Sequence, residues 1–204
     1  MLLGKIVMND LAQQLAFIQE IDKLKAVYRR TMVKADKNRR ENSAEHSWQI
    51  ALSAQVLQSY AEKPVDIQRV TTMLLIHDIV EIDAGDLFAF DESSLHEEQA
   101  AKEQAAAKRI FSLLPQAQSH KMLALWQEFE LAETDDACFA KSIDRILPLI
   151  QNMANEGGSW VGNSLTKSQV LARNTYLQTL SPKLWDYVNQ QLSIACEKGW
   201  LKDS

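Results

Sequence analysis

Glycine and proline are scarce, six and four among 204 residues. A chain with so few breakers, and with many Ala, Leu, Gln, Glu and Lys, is expected to be mostly helix. Cysteine is scarcer still. Cys138 and Cys196 lie far apart, which excludes a disulfide framework and a zinc–thiolate cluster, and they read as two reduced thiols of a cytosolic protein. No apolar run approaches the ~20 residues that a membrane span needs. The N-terminal Met1-Leu-Leu-Gly-Lys-Ile-Val-Met-Asn has too short an apolar run for a signal peptide and no small-residue cleavage site. The expectation is a cytoplasmic protein without a membrane partner. Excess positive charge is missing as well. A net charge of −5 and a pI near 5.4 argue against a general nucleic-acid binder. There is no internal repeat, no low-complexity linker and no sustained strand-like alternation. With 46% apolar and 24% charged residues, the length suits one substantial core.

What is present is helical spacing. Asn9 is expected to cap a helix over Asp10–Met32, whose stripe runs through Leu11, Leu15, Ile18, Ile21, Leu24 and Tyr28. Residues 33–42 read as a polar loop. Asn42, with Glu45 three positions on, offers a capping box for a helix to Tyr60. Ile50, Ala51, Ala54, Leu57 and the flanking Trp48 would form its buried side. Pro64 suits the first turn of a central helix that Gly85 ends. Leu87–Ser94 reads as a connector long enough to lie over a site. Further helices are expected over His96–Leu114, after Pro115, after the cap Thr134 with a kink at Pro148, after Thr166 with Gln169, and from Pro182 to Gly199. The segment Asn155–Gly162 has glycines, but neither a following Lys-Ser/Thr nor a preceding strand, so it is no P-loop. The reading is an all-α fold, a single domain over 1–204 with six to eight helices. Its helical core covers about 9–180 and its C-terminal helix 181–201.

The central stretch Met73-Leu-Leu-Ile-His77-Asp78-Ile-Val-Glu81-Ile-Asp83-Ala-Gly85-Asp86 breaks an apolar run with ionisable groups. A buried charge needs a partner, and a metal ion is the natural candidate. On a helix, Glu81 shares a face with His77 and Asp78. Asp144 sits among apolar residues, as His77-Asp78 does, and His46 also stands where burial is expected, on the first turn of its helix. Two imidazoles and two carboxylates form an N/O set suited to one divalent ion: Mn²⁺, Co²⁺, Mg²⁺, Fe²⁺ or Zn²⁺. The absence of a thiolate disfavours a structural zinc site, and four protein ligands leave positions open for water and substrate. Arg29 and Arg30, near the end of the first expected helix, also suit its macrodipole.

The order His46, then His77-Asp78, then Asp144 resembles the motif of the HD-domain metal-dependent phosphohydrolases. The segments Glu45-His46-Ser47, His77-Asp-x-x-Glu81-x-x-x-Gly85-Asp86, Lys25-Ala-Val-Tyr-Arg29, Leu125-Trp126-Gln-Glu128-Phe-Glu130 and Lys141-Ser-Ile-Asp144-Arg are similar to the YfbR-like 5′-deoxynucleotidase branch. The resemblance covers about residues 9–180. It implies an all-α fold, a homodimer and a nucleotide substrate. It also implies that His46, His77, Asp78 and Asp144 hold the metal, that Glu81 and Asp86 are the catalytic carboxylates, and that Arg29 contacts the substrate phosphate. Bacterial members continue after that arginine with an aromatic residue and a proline, where a tryptophan helps select deoxyribose. Here Arg30-Thr31 follow, which leaves base and sugar choice open.

The expected reaction is hydrolysis of (deoxy)nucleoside 5′-monophosphates. The metal would bind phosphate oxygens and acidify water, Arg29 would neutralise charge on the phosphoryl group, and Glu81 and Asp86 would handle protons. Alternatives are hydrolysis of another phosphorylated nucleotide and a catalytically silent metal- or nucleotide-binding sensor. The Gly-Tyr-Pro triplet of the cyclic-dinucleotide hydrolases is missing, and the basic complement reads as thin for a triphosphate. His96 and His120 lack the context of a di-iron oxygenase. The helix from His96 to Leu114 and the C-terminal pair are candidate dimer surfaces.

Overall fold

The computed structural model describes residues 2–91 and 93–203, and side chains outside residues 2–8, 93 and 94. Met1 and Ser204, the outer bounds of the expected domain, and Glu92 of the expected connector therefore lie outside the described residues.

The first helix, α1 (Leu2–Ile21), begins before Asn9 and ends well before Met32. A 3₁₀ turn over Asp22–Ala26 follows, and the chain then enters a hairpin of β1 (Tyr28–Val33) and β2 (Arg39–Asn42). The helix expected to Met32 and the loop expected over 33–42 are thus corrected to two antiparallel strands. Tyr28, Thr31 and Val33 favour strand over helix. Lys37 and Asn38 adopt φ of 54° and 58°, and so reverse the chain. The register pairs Tyr28 with Asn42, and Met32 with Arg40, with an irregularity between. That irregularity lies at Arg29–Thr31, and the side chains of Arg29 and Thr31 face inward.

Asn42 closes the expected capping box with Glu45 and starts α2 (Ser43–Leu57). Trp48 is 63% exposed, so it does not belong to the buried side of α2 as expected. Asp66 caps α3 (Ile67–Ile76), which leaves Pro64 outside the helix. The chain then tightens to a 3₁₀ turn over His77–Val80 before α4 (Glu81–Ala84), which Gly85 ends at φ 75°. The central helix is therefore broken at the residues of interest. The break is supported from outside, because the Trp126 Nε1–H donates to the His77 carbonyl at 3.1 Å.

The remaining helices are α5 (Ser93–Phe111), α6 (Gln116–Leu131), α7 (Asp135–Ala154), α8 (Gly158–Gly162), α9 (Lys167–Arg173), α10 (Leu177–Leu180) and α11 (Pro182–Glu197). Thr134 and Thr166 cap α7 and α9, and Pro182 opens α11, as expected. The helix α7 continues through Pro148. The fold is all-α apart from the hairpin, and eight described helices reach seven residues or more.

Apolar residues collect in two clusters. One gathers α2, α3, α5, α6 and residues such as Phe139 and Ile143 of α7. The other gathers α8–α11 around Ile146 and Leu149 of the same helix. The helix α7 serves both because its faces alternate at helical spacing. Asp144 and Arg145 sit on it between the two. No described helix is long and apolar enough to cross a membrane.

Candidate metal centre

Two helices and the 3₁₀ turn bring the expected metal ligands together. His46 stands on the first turn of α2, His77 opens the 3₁₀ turn, and Asp144 projects from α7. One ligand atom from each of these three lies within 4.8 Å of the others. His46 Nε2 is 2.9 Å from Asp144 Oδ1, and His77 Nε2 is 3.6 Å from the same oxygen. Asp78 joins through its own Oδ1, 2.8 Å from His77 Nε2.

His77 decides what this group can hold. Its Nδ1 lies 2.9 Å from the Leu74 carbonyl, which can only accept, so the proton belongs on Nδ1. The lone pair of Nε2 then faces carboxylates that can only accept as well, and this buried nitrogen has no hydrogen-bond partner. A cation resolves that conflict. The mixed imidazole–carboxylate donors fit a borderline or hard divalent ion.

Without a cation, the field of the group falls on its protons. Burial lowers the pKa of His77, but Asp78 and Asp144 outweigh it, and the net shift is well upward. Burial raises Asp144, but His46 and His77 hydrogen bonds hold it well below the usual carboxylate range. Asp78 is likewise lowered, since His77 and Arg29 outweigh its burial.

Arg29 reaches this group from the hairpin. Its Nη1 donates to Asp78 Oδ2 at 2.6 Å and stands 3.8 Å from Glu81 and 3.7 Å from Asp86. The Ser43 hydroxyl donates to Glu81 Oε2 at 2.5 Å. Burial and the neighbouring Asp78 still push the Glu81 carboxyl well above its ordinary value, while Arg29 opposes them. Burial also raises Asp86, against Arg29. Glu81 does not reach the site as the next turn of a regular helix. The 3₁₀ turn delivers it.

These positions correspond to a matched family model described as the HD domain, over residues 21–185. The chain belongs to the HD-domain family. A solved structure from Magnetospirillum magnetotacticum MS-1, described as a predicted metal-dependent phosphohydrolase, is 45% identical. It superposes with a TM-score of 0.87 over 95% of this chain and 96% of that one. An HD-domain phosphohydrolase from Listeria innocua shares the fold at 18% identity and a TM-score of 0.58, over 90% of this chain and 85% of that one. The 5′-deoxynucleotidase HDDC2 of Homo sapiens is 28% identical over 137 residues. The match covers 67% of this chain and 65% of the human protein, so the chain spans just under two thirds of that relative's length.

The HD-domain site also contains residues that sequence reasoning missed. Glu41, expected in a loop, is only 1% exposed. It accepts from Thr31 Oγ1 at 2.8 Å and from Gln151 Nε2 at 2.7 Å, and stands 3.5 Å from His46 Nδ1. Burial raises its pKa, but the imidazole and these donors leave it lowered overall. The sequence Arg39-Arg40-Glu41-Asn42 carries no signal of this burial. The connector after Asp86 does lie over the site, as expected. Phe88 and Phe90 pair there with ring centroids 5.4 Å apart. They wall a cleft of about 700 Å³, including its part open to solvent, which Arg29, Asp86 and Asp144 share with Arg30, Arg145 and Arg173. The basic complement that looked thin from the sequence is gathered from three separate elements, β1, α7 and α9.

Proposed function

We propose that this HD-domain chain is a metal-dependent phosphohydrolase of (deoxy)nucleoside 5′-monophosphates. The observation that carries this reading is the orphaned His77 Nε2, held among His46, Asp78 and Asp144 with Arg29 alongside. The relative from Homo sapiens that bears a 5′-deoxynucleotidase name and the Magnetospirillum neighbour support the class of reaction. In this reading His46, His77, Asp78 and Asp144 hold one divalent ion. When bound, the ion supplies positive charge to phosphate oxygens and acidifies water.

The chain's own groups do the rest. Arg29, kept protonated by the carboxylates around it, neutralises charge that builds on the equatorial phosphoryl oxygens. Glu81, whose carboxyl proton is favoured by burial and by Asp78, donates it to the departing 5′-oxygen. Asp86, also raised, accepts the proton of the attacking water. One proton enters and one leaves, so the pair is ready for reversal after product release. Ser43 fixes the Glu81 carboxyl, and the Phe88–Phe90 connector shields the cleft from water.

The same proposal takes residues 1–204 as a single HD domain acting in the cytoplasm as a homodimer. Trp48, Leu52 and Val56, four apart on α2 and 52–69% exposed, form an apolar stripe that a second copy would cover. In this reading the dimer surface lies on α2, and not on either of the two candidate faces read from the sequence. Sedimentation of a Trp48→Glu variant as a monomer, against a dimeric wild type, would support it.

The decisive experiment strips the metal, adds back Mn²⁺, Co²⁺, Mg²⁺ or Zn²⁺ singly, and measures phosphate release from ribo- and deoxyribonucleoside 5′-monophosphates. Metal-dependent release that vanishes in Asp78→Ala is expected. Absence of release across the panel, with metal bound, would remove the hydrolase reading in favour of a sensor.

A further inference from the structure

The cleft has two ends of opposite charge balance. At the inner end, Arg29 faces Asp78, Glu81 and Asp86. At the outer end, Arg30, Arg145 and Arg173 have no carboxylate within 4.0 Å among the described residues. They are nevertheless held in place. Arg173 Nη1 donates to the Ala89 carbonyl, and Arg145 Nη1 to the Arg173 carbonyl, both at 2.8 Å. Their guanidinium carbons lie over rings, Arg173 at 5.5 Å from the Phe90 centroid, Arg145 at 4.8 Å from Tyr176 and Arg30 at 5.9 Å from Phe88.

Carbonyls and ring faces orient a guanidinium, but they leave its formal charge unmatched. Arg173 and Arg145 are both partly buried, where a charge ordinarily has a counterion. Burial, and then the like charge of Arg145, lower the pKa of Arg173, yet a guanidinium stays protonated in a protein. The outer end therefore gathers guanidiniums that are held by carbonyls and rings, and their mutual repulsion is one that an anion would relieve.

We propose that Arg145 and Arg173, with Arg30 at the rim, form a second phosphate subsite, so that the cleft takes nucleotides bearing a phosphate besides the one at Arg29. Two paired guanidiniums suit a dianionic phosphate, which accepts charge-assisted hydrogen bonds from both. The assignment of the first phosphate to Arg29 rests on the hydrolase reading above. The second phosphate needs no metal, because its charge is matched by the arginines alone. It can be carried on the sugar, as in a nucleoside 3′,5′-bisphosphate, or on the first phosphate, as in a 5′-diphosphate.

The test is calorimetric titration of metal-free protein with a nucleoside 5′-monophosphate, the matching 3′,5′-bisphosphate and the 5′-diphosphate. At least one two-phosphate ligand is expected to bind about tenfold or more tighter than the monophosphate, and which one does locates the phosphate. In the Arg145→Gln/Arg173→Gln double variant this advantage is expected to shrink to within about threefold. Equal affinity of all three ligands in the wild type, or an advantage that survives the double variant, would overturn the subsite. If the double variant melts before it can be titrated, the salt dependence of the wild type decides. Affinity for the two-phosphate ligand should fall more steeply with salt than affinity for the monophosphate, and equal slopes count against the proposal. The readout is binding, so the two readings fail separately. A two-phosphate advantage without metal-dependent release from any monophosphate defeats hydrolysis alone. Metal-dependent release from monophosphates without any two-phosphate advantage defeats the subsite alone.

Discussion

Arg29 and Arg173 line the same cleft in opposite company. Arg29 stands amid Asp78, Glu81 and Asp86, and its charge is more than matched before any ligand arrives. Arg173 is held by the Ala89 carbonyl and the Phe90 ring, with no carboxylate within 4.0 Å among the described residues. The same side chain thus has two uses. In the inner half it is part of a network of carboxylates and imidazoles whose surplus negative charge calls for a cation. In the outer half it is surplus positive charge that calls for an anion. A nucleotide running from one to the other, with a metal at the inner end, would balance both. The two halves share two elements and differ in the rest. The hairpin gives Arg29 to the inner half and Arg30 to the outer, and α7 gives Asp144 to the inner and Arg145 to the outer, while α2 and the 3₁₀ turn serve the inner half and α9 and the aromatic connector the outer.

The comparison breaks most completely at Asp78. Asp78→Ala removes the carboxylate nearest both His77 Nε2 and Arg29 Nη1. Phosphate release is expected to fall by about 10³-fold or more, equivalent to ~4 kcal/mol of barrier. Calorimetry of the metal-free variant with a two-phosphate ligand should still show the outer subsite. Loss of both at once would mean that the halves are not separable.

Next in size is the proton pair. Since Glu81 is expected to act protonated, activity should fall as pH rises through its raised pKa, and Glu81→Gln should lose that alkaline limb with a ~10²–10⁴-fold drop in kcat. Asp86 acts deprotonated, so Asp86→Asn should instead lose the acid limb. Profiles of kcat against pH with both limbs intact in either variant would reassign that residue.

Glu41→Gln is a finer probe of the inner half. The carboxylate stands 3.5 Å behind His46 Nδ1, close enough to bias the imidazole's orientation electrostatically, without a place among the expected ligands. Metal affinity, read from the rise in melting temperature on titration, is expected to drop ~10–100-fold. The acid response should change too. The folded-state pKa of Glu41 is below its ordinary value, so its contribution to stability is present above the unfolded pKa and is lost as pH falls through the folded one. The metal-free variant should therefore lose less stability on acidification than the wild type.

The inner half was far more legible in the sequence than the outer half, for a physical reason. A polar residue in an apolar helical run is conspicuous, and His77-Asp78 and Asp144 are of that kind, whereas His46 stands in a polar first turn and is legible only through its partners. The cap Asn42 and the stop Gly85 are local signals too. The strand β1 was hidden because the helical stripe through Leu24 runs on to Tyr28. Only Lys37-Asn38 and the residues Thr31 and Val33 hinted at a hairpin. The 3₁₀ turn at His77 depends on Trp126, 49 positions away, and no local pattern encodes it. Arg145 and Arg173 look like ordinary surface charges in a helical sequence. What distinguishes them is that no carboxylate of the described residues lies within 4.0 Å of either, a property of the assembled cleft.

The smallest expected effect comes from the helix start between the halves. Asn42 caps α2 and is flanked by Glu41 and Ser43, which hold His46 and Glu81 respectively. Asn42→Ala removes the side-chain acceptor of the Glu45 amide and should cost about 1 kcal/mol, or ~2–4 °C in melting temperature for a chain of this size. The looser start should reach the inner half through both neighbours and weaken metal binding by a few-fold at most. It should leave the two-phosphate advantage of the metal-free protein unchanged, because no residue of the outer subsite is anchored on α2. A matched loss at both ends would show that the hairpin and α2 set the position of the whole cleft, and that the two halves share one scaffold rather than resting on two.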